Sequence, residues 1–248
     1  MPSKTVTLNS PPLQPSGSLP PGTLRVLQIT DSHIYADPEG RLAGVKTQQT
    51  LDDVLQMAKR DFWQADMVLA TGDLVHDATP TGYRRIKQRL RTLDAPIYCL
   101  PGNHDLPQVM NDCLDRSGVT APKAVRQGNW LIILLDSTVP GSPGGHLSSQ
   151  ELETLDDNLR RHADCHALVC LHHHPVAVGS AWIDRMALDN PEEFFRIIDR
   201  YPKVRGVLWG HIHQLFEAER HRVKLMGSPS TCIQFMPRRD NFGIDQQP

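Results

Sequence analysis

The chain has 248 residues, of which 39% are hydrophobic, 22% charged and 6% aromatic, with a formal charge of −2 at pH 7. That balance suits an ordinary folded enzyme with a real core. It gives neither the basic footprint of a nucleic-acid binder nor the stacking platform of a single-strand binder. Five cysteines without a C-x-x-C pair argue for reduced thiols, no run reaches the roughly 18 apolar residues of a membrane span, and the N-terminus lacks a secretory pattern, so a cytoplasmic enzyme of small molecules is expected.

Residues 1–23 are rich in Pro, Ser and Gly and are expected to form a tail, leaving 24–248 as one domain. From Leu24 a rhythm sets in, in which a short apolar run ends in small or polar residues and a helical pattern follows. Leu24–Thr30 reads as a strand leading into Asp31-Ser32-His33. Leu51, Val54, Leu55, Ala58 and Phe62 then share one face of a helix expected over 50–63. Met67–Thr71 is a second strand, ending in Gly72-Asp73, and Tyr83, Ile86, Leu90 and Leu93 mark a second helix. Pro96–Leu100 leads into Gly102-Asn103-His104-Asp105, and Trp130–Asp136 follows as a fourth strand. Ser148 and Glu151 have the spacing of a capping box, opening a helix that buries Leu152, Leu155 and Leu159. Ala167–Leu171 ends in His172-His173-His174-Pro175. Asn190 stands as the N-cap of a helix with Pro191 in its first turn, and Val204–Trp209 ends in Gly210-His211-Ile212-His213. Runs apolar at nearly every position suit strands covered on both faces, and strand–helix alternation predicts an α/β layered domain.

Five polar motifs thus stand at strand ends, where loops of an open α/β sheet converge on a crevice. Singly each is weak: D-x-H is common by chance, and a lone histidine beside a strand is more often structural than a ligand. All five together, each at a strand exit, leave coincidence little room. Imidazoles, carboxylates and an amide oxygen suit Fe, Mn, Zn or Co, and no thiolate is among them. Asp31, His33, Asp73, Asn103, His172, His211 and His213 are too many ligands for one catalytic ion but fit two if one carboxylate bridges. Such a pair, roughly 3.5–4 Å apart, clamps the oxygens of a phosphoryl displacement.

With these motifs the chain resembles the calcineurin-like metallophosphoesterase superfamily, whose pattern is D-x-H, G-D, G-N-H-[DE], a later histidine and G-H-x-H. Within it the chain is most similar to the class III cyclic nucleotide phosphodiesterases, in particular the bacterial 3′,5′-cyclic AMP phosphodiesterases. That closer likeness rests on Leu27–His33, Ala70–Leu74, Leu100–Asp105, Leu171–Pro175, Trp209–Gln214 and Ser228–Cys232. The resemblance implies a four-layer sandwich, two packed mixed β-sheets flanked by helices. It implies that Asp31, His33 and His213 hold one divalent ion, Asn103, His172 and His211 the other, and that Asp73 bridges them. Fe(II) or Mn(II) is expected, with Zn or Co compatible. His104 is implied as the catalytic residue facing the substrate; His33, Asp73, Asn103, His104, His172, His211 and His213 together would bind the substrate. The implied reaction is hydrolysis of cyclic AMP to 5′-AMP by a metal-activated hydroxide, in a monomer or homodimer with no nucleic-acid or membrane partner. A broad phosphodiesterase, a glycerophosphodiesterase and, with less support, a non-catalytic metal-binding scaffold are the alternatives. Two features depart from the pattern. The chain stops soon after Phe242-Gly243-Ile244, which leaves the C-terminal strands in question, and His76 matches no ligand position and is expected to be solvated. Asp77 and Asp105 are expected to orient neighbouring ligands, and His173 to stand behind His172.

Overall fold

A computed structural model describes residues 22–61, 65–114 and 118–245. Nearly all of the tail expected over 1–23, and the last two residues of the helix expected over 50–63, lie outside the described residues. In chain order the elements are β1 (Val26–Ile29), β2 (Arg41–Leu42), β3 (Val45–Lys46), α1 (Thr47–Asp61), β4 (Met67–Thr71) and α2 (Pro80–Leu90). A 3₁₀ turn over Arg91–Leu93 precedes β5 (Ile97–Leu100), α3 (Pro107–Leu114), β6 (Val119–Thr120), β7 (Ala124–Gln127), β8 (Trp130–Leu134) and α4 (Ser149–Arg161). The chain continues through β9 (His166–Cys170), α5 (Ala181–Asp184), α6 (Pro191–Ile198), β10 (Val204–Trp209), β11 (Phe216–Arg220), β12 (Val223–Gly227), β13 (Gln234–Phe235) and β14 (Ile244–Asp245).

Two sheets form the middle of the molecule. One has the order β1-β4-β5-β6, the other β11-β12-β10-β9-β8-β7. Strand alternation explains why their strands read as continuous apolar runs. In β8, Leu131 and Ile133 face α4 and α6, while Ile132 and Leu134 face the other sheet. In β4, Val68 and Ala70 lie against α1, α2 and α3, while Met67 and Leu69 meet Ile132, Leu134, Cys170 and Leu208 between the sheets. The result is four layers, helix–sheet–sheet–helix. The larger sheet is mixed, but the smaller one is parallel throughout its described strands, contrary to the expectation of two mixed sheets. Each of its connections carries a helix or a long loop over one face, which leaves no hairpin to reverse a strand. All five cysteines are free, as expected.

Helix starts follow local chemistry, with two differences. Thr79 caps α2 by accepting a hydrogen bond from the Gly82 amide at 3.0 Å, with Pro80 pre-set in the first turn. Ser148 likewise accepts from the Glu151 amide at 3.2 Å, but Glu151 does not return the bond. Its carboxylate accepts from the Asp136 amide and pairs with Lys123, so only half of the capping box forms. Leu155 and Leu159 are buried as expected, and Leu152 only partly. Asn190 stands before α6 without capping it. Its side-chain oxygen accepts from the Leu147 amide at 3.0 Å and its amide donates to the Leu147 carbonyl at 2.9 Å, tying the α4 entrance to the α6 entrance.

This difference is testable. Ser caps helices about as well as Asn, but its hydroxyl oxygen lies about one bond closer to the backbone than the Asn190 amide atoms and so falls short of the Leu147 N–H and C=O. Asn190→Ala should cost about 2 kcal/mol, read as a shift in urea midpoint, because it leaves buried Leu147 groups unpaired. Asn190→Ser should lose nearly as much; a Ser variant as stable as the parent would return Asn190 to the role of a cap.

Candidate metal centre

Asp31 and His33 follow β1, Asp73 follows β4, Asn103 and His104 follow β5, His172 follows β9, and His211 and His213 follow β10. These strands are parallel within their sheets, so the motifs emerge at carboxyl ends. Six of the seven residues singled out from the sequence meet at the seam between the sheets, and Asn103 stands on the adjoining loop between Gly102 and His104, whose amide bonds Asp73. Asp31, His33 and His213 present ligand atoms within 4.8 Å of one another, and so do Asp73, His172 and His211. Asp73 joins the two groups: its Oδ2 lies 3.6 Å from His33 Nε2 and 3.5 Å from His172 Nε2. His213 Nε2 is 3.2 Å from Asp31 Oδ1.

The backbone bends sharply to bring them there. Asp31, His33, Asp73, His211 and His213 all adopt left-handed φ, between 44° and 67°. Such conformations cost about 1–3 kcal/mol each and persist where the surroundings over-determine them. Here the surroundings are interlocking hydrogen bonds. The amides of Asp31, His33 and Ile34 donate to the carbonyls of Gly72, Asp73 and Leu74, and the His76 amide returns a bond to the Ile34 carbonyl. Both Asp31 oxygens accept from the His211 amide at 3.1 Å, and Thr30 Oγ1 donates at 2.7 Å. Asp73 Oδ1 accepts from the His104 amide at 2.9 Å. Gly102 is required at its position, since a Cβ there would collide with the Asp73 carboxylate and backbone and with the His172 ring.

Charge completes the picture. Burial alone would raise the Asp31 and Asp73 carboxyls, but adjacent imidazoles, His213 beside Asp31 and His172 beside Asp73, hold both below the usual carboxylate range. Burial pushes His33 down to about 3 and His211 well below the ordinary imidazole value, so both rings are neutral with a lone pair to give. His172 is the exception, pushed up to about 9 against its burial by the charges of Asp73 and Asp31. Asn103 Oδ1 and His211 Nε2 are buried without a hydrogen-bond partner. Leaving such atoms bare costs about 1–3 kcal/mol apiece, a cost that a bound cation removes. Two buried carboxylates, neutral imidazoles and orphaned acceptors fit hard or borderline divalent ions.

Around this cluster the structure corrects one reading, that of His76, and gives two others a backbone form. Asp105 orients the neighbouring ligands through their loops rather than through an imidazole ring. It accepts from the amides of Leu74, Val75 and Gly102 and from the Tyr83 hydroxyl, clamping the Asp73 loop onto the Asn103 loop. Burial and the nearby Asp73 charge push Asp105 up to about 6 in spite of these donors. Asp77 also holds backbone, accepting from the amides of Ala36 and Thr79. His76 is not a solvated residue: it is half-buried, with its ring stacked on His104 at 4.6 Å and its Nδ1 3.2 Å from His33 Nδ1. An odd histidine three residues beyond Asp73 was the available sign of it. His173 is buried and its Nδ1 is 2.8 Å from Ser137 Oγ, while His174 Nε2 lies 3.4 Å from Asp184. Phe235, on β13, stacks flat against His213 at 4.0 Å, a contact with no sequence signature.

Residues 24–215 match the family described as calcineurin-like phosphoesterase. The chain is 38% identical over 231 residues to the 3′,5′-cyclic adenosine monophosphate phosphodiesterase of Vibrio vulnificus, covering 93% of this chain and 84% of that one. It is 42% identical over 224 residues to a 3′,5′-cyclic-nucleotide phosphodiesterase of a Nostoc species, covering 90% and 84%. Among solved structures, a dimetal phosphatase from Danio rerio superposes with a TM-score of 0.63 at 13% identity, covering 84% of this chain and 88% of that one. A purple acid phosphatase from yellow lupin gives 0.63 at 12%, covering 91% and 46%; both likenesses show the fold alone.

The Asp105 clamp yields a prediction. Asp105→Asn turns one carboxylate oxygen into a donor facing two donors. Stability should fall by about 2 kcal/mol by urea titration, and Mn(II) affinity by about 10- to 100-fold, since partners that orient ligands contribute on that scale. Unchanged Mn(II) affinity would uncouple the clamp from the centre.

Proposed function

The chain belongs to the calcineurin-like phosphoesterase family and is a hydrolase, and from that premise we propose that it opens the cyclic phosphodiester of 3′,5′-cyclic AMP to give 5′-AMP. The substrate rests on the relatives' activity; the observation that carries the chemistry is the pair of ligand clusters with Asp73, a member of one, lying 3.6 Å from His33 of the other. The family works with a dinuclear metal centre. In this reading Asp31, His33 and His213 hold one ion, Asn103, His172 and His211 the other, and Asp73 touches both. Residues 24–248 act as one catalytic domain, Fe(II) or Mn(II) is the resident metal, and the enzyme works in the cytoplasm on a free nucleotide. No helix among the described residues is long and apolar enough to cross a membrane.

When bound, the ions supply Lewis acidity, neutralising phosphate oxygens and lowering the pKa of a water. The protein supplies placement. Asp31 and Asp73 fix the charge of the site, and the neutral rings of His33 and His211 add lone pairs without adding positive charge. Water adds to phosphorus as the bond to the ribose 3′-oxygen breaks, and that oxygen needs a proton. In this reading His104 gives it. Its amide is fixed to Asp73, and its ring stands edge-on to His33 at 4.9 Å, outside both trios that contain Asp73 or Asp31. General acid catalysis of this kind contributes about 10²- to 10⁴-fold.

The direct test offers metal-defined enzyme cyclic AMP, cyclic GMP, 2′,3′-cyclic nucleotides and a glycerophosphodiester. Cyclic AMP should be consumed with 5′-AMP as product; turnover of the glycerophosphodiester alone would replace this reading with the broader one. Asp73→Ala should lose both ions and activity together by elemental analysis, and retention of two ions per chain would remove the bridging role. His104→Ala should keep its metals and lose about 10²-fold or more in kcat on cyclic AMP, whose alkoxide leaving group needs a proton. A p-nitrophenyl phosphodiester, whose leaving group departs unprotonated, should lose much less; equal losses would make His104 a phosphate-binding residue.

A further inference from the structure

A metal-bound imidazole is held in place by what its other ring nitrogen touches, and that partner is most often a carboxylate or a backbone carbonyl. Two histidines of the cluster follow this rule. His172 Nδ1 lies 2.9 Å from the Thr71 carbonyl, and His213 Nδ1 lies 2.7 Å from the Ile233 carbonyl. His33 does not. Its Nε2 faces the cluster, 3.4 Å from His213 Nε2 and 3.6 Å from Asp73, and its Nδ1 meets the Nδ1 of another side chain, His76, at 3.2 Å. With Nε2 given to an ion, His33 must carry its proton on Nδ1, and His76 must accept it there.

His76 is itself immobilised for this task. Its ring lies between Tyr35, 4.8 Å away, and His104, on which it stacks at 4.6 Å with 23° between planes. The His76 amide bonds the Ile34 carbonyl, and the next residue, Asp77, accepts from the Ala36 amide at 2.8 Å. The loop carrying His76 is thereby stitched residue by residue to the loop carrying His33. We infer that His76 is the positioning residue of the centre, fixing the tautomer and ring orientation of His33 through Nδ1 while its face supports His104. This rests on the ligand assignment proposed above.

Two substitutions separate the two contacts. His76→Gln keeps an acceptor for the His33 N–H but removes the ring; His76→Phe keeps a ring between Tyr35 and His104 but removes the acceptor. Co(II) is titrated into the purified full-length protein and followed by its visible absorption, which reports ligand geometry independently of turnover. Thermal melting of each variant accompanies the titration. His76→Phe should bind the ion held by Asp31, His33 and His213 about 10- to 100-fold more weakly, with an altered spectrum. His76→Gln should stay within about threefold of the parent and restore the spectrum. Parental affinity and spectrum in His76→Phe, or a His76→Gln variant no better than His76→Phe, would overturn the inference. His33→Ala distinguishes the two levels. If it still binds two ions as the parent does, the ligand assignment itself fails; if it loses one while His76→Phe does not, only the role of His76 fails.

Discussion

Two carboxylates, Asp31 and Asp73, are fully enclosed at the junction of two sheets, and the architecture around them is organised by the need to keep them charged there. A buried carboxylate is tolerated only with opposing charge and hydrogen bonds on its free lone pairs. Both conditions are met from several directions at once. Thr30 and the His211 amide serve Asp31, the His104 amide serves Asp73, and imidazoles approach both. Because these donors come from four strand exits, two in each sheet, the requirement fixes the relative position of both sheets.

The same requirement explains where the molecule accepts strain. Left-handed backbone at Asp31, His33, Asp73, His211 and His213 works against stability, and apolar packing on both sides of each sheet compensates for it. Orphaned ring nitrogens and the Asn103 oxygen work in the same direction. These costs are concentrated within a few ångströms, while the layer between the sheets is largely apolar, with Gln28 reaching across it to the Trp209 carbonyl. Such a division is expected of a site whose filled state is its functional one.

How much of this was legible in the sequence depended on the range of the interaction. Central strands such as β4 and β10 announced themselves because both faces are covered, which removes polar alternation. The ligand set was legible because its members repeat one local situation, a polar motif at a strand exit. By contrast β11 exposes Glu217 and Glu219, β12 is short and exposes Lys224, and α3 is short with little periodicity, so none stood out. The turns of Asn190 and Glu151 away from their helix ends depended on Leu147 and Asp136, partners that no local window contains. His76 was misread for the same reason: its neighbours Tyr35, His33 and His104 are assembled only by the fold.

The strands of the smaller sheet all precede Ala121, and those of the larger sheet all follow Lys123. Asp31, His33, Asp73 and Asn103 therefore belong to the part of the chain synthesised first, and His172, His211 and His213 to the part synthesised last. Neither trio built on Asp31 or Asp73 lies within one part: Asp31 and His33 wait for His213, and Asp73 waits for His172 and His211. On the ribosome the first sheet must consequently keep its two carboxylates hydrated, along with the apolar face that later meets Ile132 and Leu208, until the second sheet has emerged. Assembly of the centre is thus a late event in the life of each molecule, and a nascent chain arrested before residue 211 has neither of these trios complete.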